Sequence, residues 1–163
     1  MAEGEIPAAV IAGAVAAARG VLRLEQGEDA VLGPMAGTAI GLAEAFAGQR
    51  LIGRAFEDRV AADGAWHRLL AEPVSAVTGG AYSVDIDADG VGWVRASGGG
   101  VVSVAYTAGL AGSWEALPPS LAQGCALLVA WLFEHREGTS APPAAIAALW
   151  RPWRRVRLGV GRR

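Results

Sequence analysis

Apolar positions recur at helical spacing near both ends of this chain and alternate with polar ones in its middle. Val10, Ile11, Ala14, Val15 and Ala18 share one face of a helix that Pro7 suits as a first-turn residue and that runs to about Arg19. Leu22-Arg23-Leu24 closes this segment, and Gln26-Gly27 reads as a turn. A second helix is predicted from Glu28-Asp29, two acids at the positive end of the helix dipole. Its stripe is Leu32, Met35, Ala36, Ala39, Ala43 and Phe46, and it ends near Gly48. Pro34 falls inside it. A proline there lacks an N–H and costs roughly 3 kcal/mol, so the pattern predicts a kink or a late start.

From Leu51 to Gly109 the period changes to two. Strand-like runs occupy Leu51 to Val60, Trp66 to Leu70, Tyr82 to Asp87, Val91 to Ala96 and Val101 to Thr107. Asp89-Gly90 is a short-hairpin signal, because both residues tolerate positive φ. Gly98-Gly99-Gly100 is expected to separate the last two runs. The helical period returns at Pro118, with Leu121, Cys125, Leu128 and Leu132 on one face and Trp131 and Phe133 widening it. Gly138 is the expected stop. A shorter helix follows Pro142-Pro143 with Ile146 and Leu149. Pro152 then prevents a regular continuation, which places the following arginines on an extended or independently placed arm.

The expected fold is α+β and mainly α, a helical bundle (about 7–48 and 118–150) with a central β-hairpin or small antiparallel sheet (about 51–109). We expect a single domain over 1–149 and a basic C-terminal arm over 150–163. A length of 163 residues suits one domain.

Charge sharpens the reading of the arm. Of 14 basic residues, all arginine, six lie between Arg151 and Arg163, while all 16 acids precede that stretch. A formal net charge of −2 therefore hides an acidic body joined to a basic, tryptophan-bearing tail, a pattern that suggests an acidic partner. The 53% apolar content exceeds the average soluble chain, which points to surface covered by neighbouring subunits. Lysine and asparagine are absent, as a G+C-rich genome would give, so arginine in place of lysine carries little information. Ile6 to Ala18 is uncharged but too short to span a bilayer, and Glu3 and Glu5 stand where a secretion signal would be positive. A soluble intracellular product with no membrane partner is expected.

The candidate chemistry is thin. Asp85, Asp87 and Asp89 before Gly90 have calcium-loop spacing, but the twelfth loop position is Ala96 instead of a bidentate acid. A hairpin tip with solvated acids is the better reading. Cys125 is the only cysteine and lies in an apolar helix, as a buried thiol would. His67 and His135 have no metal-type partners nearby, and both read as structural. There is no nucleophile elbow, phosphate loop or dinucleotide fingerprint. We therefore expect no catalytic residue, metal or cofactor. The tail remains: Trp150 and Trp153 with Arg151, Arg154, Arg155, Arg157 and Leu158. Tryptophan and arginine are the types most enriched at interface hot spots, and a purely solvating tail has no use for large rings.

In order and spacing, three blocks resemble the head–tail connector (adaptor) family of tailed bacteriophages and gene transfer agents. The first is Leu22-Arg23-Leu24, Glu28-Asp29 with Leu32, Glu44 and Gly48-Gln49-Arg50-Leu51. The second is Val102 to Tyr106 running into Thr107-Ala108-Gly109-Leu110. The third is Leu117-Pro118, the helix Ala122 to Trp131, Glu134-His135-Arg136-Glu137, then Pro143, Leu149, Pro152, Arg154, Val156, Arg157 and Leu158. The resemblance implies a non-enzymatic subunit of the virion's head–tail neck, made in the host bacterial cytoplasm. It implies a ring, usually of twelve copies, bound to the portal protein above and a neck stopper or next connector below, with DNA passing through. The C-terminal residues named above would reach the portal. The alternative of another class is a small DNA-binding module that uses the tail as a basic arm; the acidic body argues against it.

Overall fold

The structure is a computed structural model that describes residues 2–136 and 141–155. Four helices and a five-stranded antiparallel sheet make it α+β, and the chain divides into two compact units. One comprises Met1–Pro7 and Arg50–Ser113, the other Ala8–Gln49 and Trp114–Arg163.

The first unit is the sheet. Its strands are β1 (Ala2–Glu3), β2 (Arg54–Arg68), β3 (Val74–Val77), β4 (Tyr82–Ile86) and β5 (Gly92–Ala108). The path is β1-β2-β5-β3, with β4 also pairing with β5. Two long strands therefore form a ribbon flanked by short ones. The first half of β2 alternates strictly: Arg54, Phe56, Asp58 and Val60 are buried and the residues between them exposed. The inward Phe56 and Val60 meet Val94, Val104 and Tyr106 from β5, Leu69 from the connection to β3, and Val74 at the start of β3.

Two expectations change here. Leu51 to Val60 and Trp66 to Leu70 belong mostly to one strand, and β5 runs straight through Gly98-Gly99-Gly100. The three glycines all have positive φ, 121°, 82° and 77°. They form a bulge: between the pairs Ala61↔Val101 and Asp63↔Ser97, one residue of β2 faces three of β5. The hairpin at Asp89-Gly90 joins β4 to β5, with Gly90 at φ 76°.

The sheet unit also buries a polar network. The Tyr106 hydroxyl donates to Asp58 Oδ2 at 2.8 Å, and the Leu70 N–H donates to the same oxygen at 2.8 Å. The Ala71 N–H then donates to the Tyr106 hydroxyl at 2.9 Å. Two side chains thus fix the backbone leaving β2. Burial, with the Asp58 carboxylate beside it, pushes the Tyr106 phenol well above its ordinary range.

The second unit is helical: α1 (Ala8–Leu22), α2 (Asp29–Ala47), α3 (Pro119–Glu134) and α4 (Ala144–Trp150). It has no late start at Pro34; α2 begins at Asp29, and the proline stands inside it. Arg19 pairs with Asp29 and donates to the Gly27 carbonyl at 3.0 Å, closing the α1–α2 turn. Gly48 ends α2 at φ 68° and donates to the Glu44 carbonyl at 2.9 Å. The expected stop of α3 at Gly138 lies outside the described residues; within them α3 ends at Glu134.

Candidate functional site

Residues 150–155 do not stand apart from the helical unit. Trp150, the last residue of α4, is buried, with its ring 5.9 Å from that of Phe46 on α2. On its other side is Gly124 of α3, where an added Cβ would come within 2.2 Å of the indole nitrogen. Only a glycine admits the ring there. Among the described residues the indole N–H has no hydrogen-bond partner, and the seat is built by packing.

Pro152 does stop α4, as its missing N–H requires, but the chain tightens into a single 3-10 turn over Arg151–Trp153 and stays against the helices. Trp153 is half-buried and its indole N–H donates to Ser120 Oγ at 2.9 Å. The Trp153 carbonyl accepts from Gln49 Nε2 at 2.8 Å, and the Arg155 N–H donates to the Ala47 carbonyl at 2.8 Å. A Cβ on Gly48 would come within 2.9 Å of the Arg155 carbonyl. Arg154 is extended at φ −72° and ψ 118°, with its guanidinium 5.8 Å from the centre of the Phe46 ring.

The expected site residues therefore divide. Trp150 is an anchor inside the helical unit and is not presented outward, and Trp153 is half committed to the same seat. Pro152 does not separate an independent arm at residue 150. Arg151 and Arg154 are exposed and Arg155 is half-buried. Arg157 and Leu158 lie outside the described residues. Phe46, Gln49, Ser120 and Gly124 were not singled out as site residues, although all four hold the segment. A glycine in the apolar run of α3, two turns before Trp131, is the one signal that hinted at a large ring seated there.

The other candidates are occupied locally. Asp87 Oδ1 accepts the Asp89 N–H at 3.0 Å and the Val91 N–H at 2.9 Å, and the Val91 bond chiefly lowers its carboxyl below the ordinary range. Among the described residues no group of three or more His, Cys, Asp or Glu side chains is placed to hold a metal. His67 pairs with Asp63 at 2.8 Å, and that hydrogen bond lowers the Asp63 carboxyl. His135 stacks on Trp131 with centroids 4.8 Å apart. Cys125 is buried, and burial, with Glu44 contributing, pushes its thiol up to about 12, which keeps it protonated and unreactive.

No protein-family model and no curated protein matches the chain. Solved structures do. The chain is 28% identical to one in the neck of an empty gene transfer agent particle computed with C6 symmetry, covering 100% of both chains at a TM-score of 0.77. In the virion of a native gene transfer agent particle, a chain is 30% identical over 99% of both, at a TM-score of 0.73. A third, from the neck of a native particle computed with C12 symmetry, is 29% identical over 100% of both, at 0.72. The chain belongs to the head–tail connector family of tailed bacteriophages and gene transfer agents.

Two of the blocks that carried the resemblance meet at this site. Gly48-Gln49 from the first holds the backbone of Trp153 to Arg155 from the third. The second block contains Gly109, at φ 147°, where a Cβ would lie 2.3 Å from the Gly53 nitrogen. The connector's motif glycines thus sit where two chain segments approach too closely for any side chain.

Proposed function

We propose that this connector is a structural subunit of a particle neck, forming a ring of about twelve copies below the portal. The ring receives the next neck protein on its other side and leaves a central passage for DNA. The observation that carries this reading is likeness over the full length of chains from two gene transfer agent necks, computed with C6 and C12 symmetry. Such a joint needs no catalysis, metal or cofactor. The acidic body suits the passage, because it does not grip phosphate.

In this reading the C-terminal segment is the portal-docking element. Trp150 and Trp153 fix its start on the helical unit, and Arg151, Arg154, Arg155, Arg157 and Leu158 make the contact. Arginine forks hold carboxylates bidentately, so the expected counterpart is an acidic rim on the portal. The test is a double charge reversal, Arg151→Glu with Arg154→Glu, at two exposed positions. The expected result is a folded protein whose binding to its cognate portal falls at least about a hundredfold, two hot-spot contacts being lost. Retained portal binding together with loss of salt-sensitive DNA binding would favour the DNA-binding alternative instead.

A further inference from the structure

The sheet unit already holds one acidic strand on its edge, and the mode of holding is specific. Strand β1 pairs with β2 at only two positions, Ala2↔Glu57 and Glu3↔Phe56, and the Gly4 N–H donates to the Ala55 carbonyl at 2.8 Å. A clamp fixes it. Arg50 donates to Glu3 Oε2 at 2.9 Å, and Arg54 donates to Oε1 through Nε at 3.2 Å and through a second guanidinium nitrogen. Both guanidiniums lie over the Phe56 ring, 5.5 Å and 5.3 Å from its centre. The Arg54 side chain is only 4% exposed, so its charge needs a carboxylate at this spot. The clamp thus recognises a carboxylate carried on an extended backbone.

Strand β1 fills this seat poorly. A shallow hollow of about 340 Å³ lies against it, bounded by Ala2, Gly4, Ala55, Glu57 and Ala105. It also stops short. In an antiparallel ladder the backbone groups alternate between the two edges of a strand. The Ala55 carbonyl faces β1, so the N–H and C=O of Glu57, Arg59 and Ala61 lie on the same edge. Among the described residues no strand pairs with that edge beyond Glu57. Arg59 is exposed there and has no ion pair among the described residues. Unpaired backbone groups are a template for another strand, and a charged side chain is the usual guard. An arginine guard repels a basic strand and pairs with an acidic one.

We infer that the β2 edge from Ala55 to Ala61 is the docking site for an extended acidic segment of another protein. The segment displaces β1, adds as an antiparallel strand and sets its own carboxylate between Arg50 and Arg54. The register fixes where a second acid belongs. Glu3 faces Phe56, so the residue three positions before the clamped acid faces Arg59. Three is odd, so the two acids leave opposite faces of the added strand. Arg54 on the buried face and Arg59 on the exposed face require that arrangement. The partner signature is therefore acid-x-x-acid in an extended stretch. Exchange of Ala2–Glu5 between copies of this chain would only reproduce the pairs already made. Until the partner arrives, β1 keeps Arg54 paired and the clamp closed. The inference stands on the sheet unit alone and needs neither the ring nor the arginine tail.

The probe is the peptide acetyl-Thr-Val-Glu-Val-Val-Glu-Gly-Glu-Ile-amide, added to the isotope-labelled full chain. Its second glutamate takes the place of Glu3, and its first falls opposite Arg59. Binding should slow amide hydrogen exchange at Arg59 and Ala61 at least about tenfold, the mark of new ladder bonds. Glutamine at both of those positions in the peptide should weaken binding at least about tenfold, since charge-assisted bonds to the clamp are lost. Arg59→Glu, at an exposed position that leaves the clamp intact, should weaken it at least about threefold. Glu3→Gln loosens the hold of β1, so that variant should bind the peptide more tightly than the unaltered chain. Absence of protection at Arg59 and Ala61 with about 1 mM peptide, in the full chain and in Glu3→Gln alike, would make β1 a fixed tie and overturn the inference. Equal binding of the glutamine peptide would remove the acidic requirement and overturn it as well. Self-association of the full chain that Glu3→Gln abolishes would assign the edge to a second copy and reject another protein as its occupant.

Discussion

At the scale of single residues, the fold depends on positions where one atom more or less is decisive. Gly124 is the clearest, because any side chain there meets the Trp150 indole. Gly124→Ala should destabilise the protein by about 1–3 kcal/mol, the usual cost of overfilling a packed site, read as a lower denaturant midpoint with an unchanged slope. Tyr106→Phe removes the hydroxyl that joins Asp58 to the Ala71 N–H and leaves both without that partner. It should cost about 1–3 kcal/mol in the same measurement, the penalty of leaving a buried polar group unsatisfied. Cys125 gives a pH dependence whose sign can be worked out. Burial raises its thiol from 9.0 to about 12, so above pH 9 the unfolded chain releases a proton that the folded one keeps. Its contribution is complete below pH 9 and is lost as pH rises to about 12. Melting temperature should therefore fall through that window, and Cys125→Ala should flatten part of the fall. A profile identical in the variant would refute the assignment of that slope to Cys125.

At the scale of elements, periodicity read the helices well and the strands incompletely. The apolar stripes of α1, α2 and α3 and the hairpin at Asp89-Gly90 follow directly from local pattern and turn chemistry. The triglycine looks like a separator because its conformational freedom is visible in sequence, whereas the partner strand that turns it into a bulge is not. Strand β3 leaves no period-two signal for a related reason. Its four residues pair with the far end of β5, a long-range contact that leaves little local trace. The C-terminal segment shows the same limit: Pro152 correctly marks the end of α4, but the seat for Trp150 is built from Phe46 and Gly124, far away in the chain. Truncation is where the two readings part. Removal of everything after Leu149 should unfold or severely loosen the helical unit, since loss of a buried tryptophan typically costs about 3–5 kcal/mol. Truncation after Arg155 keeps both tryptophans and should leave thermal unfolding close to that of the full chain. Equal melting temperatures for the two truncations would show that the Trp150 seat contributes nothing to stability.

At the scale of the whole molecule, the separation of charge makes the docking and DNA-binding readings respond differently to salt. Six arginines follow Trp150, and all sixteen acids precede it. If the tail gripped duplex DNA through all six arginines, the logarithm of affinity would fall with the logarithm of salt at a slope of about −5, from counterion release. The acidic body would oppose the complex at every concentration. If the tail instead meets a protein surface, only the long-range attraction is screened beyond a Debye length of about 8–10 Å, and the paired, partly buried contacts persist. Raising salt from 50 to 500 mM should then slow association with the portal while changing the dissociation rate little. The same titration with duplex DNA should show weak binding at low salt and none at high salt. Surface-immobilised portal and a fluorescent duplex, titrated with the same protein preparation, provide the comparison. A portal affinity that falls with a slope near −5, alongside a DNA affinity that exceeds it at 150 mM salt, would move the tail's role from docking to nucleic-acid binding.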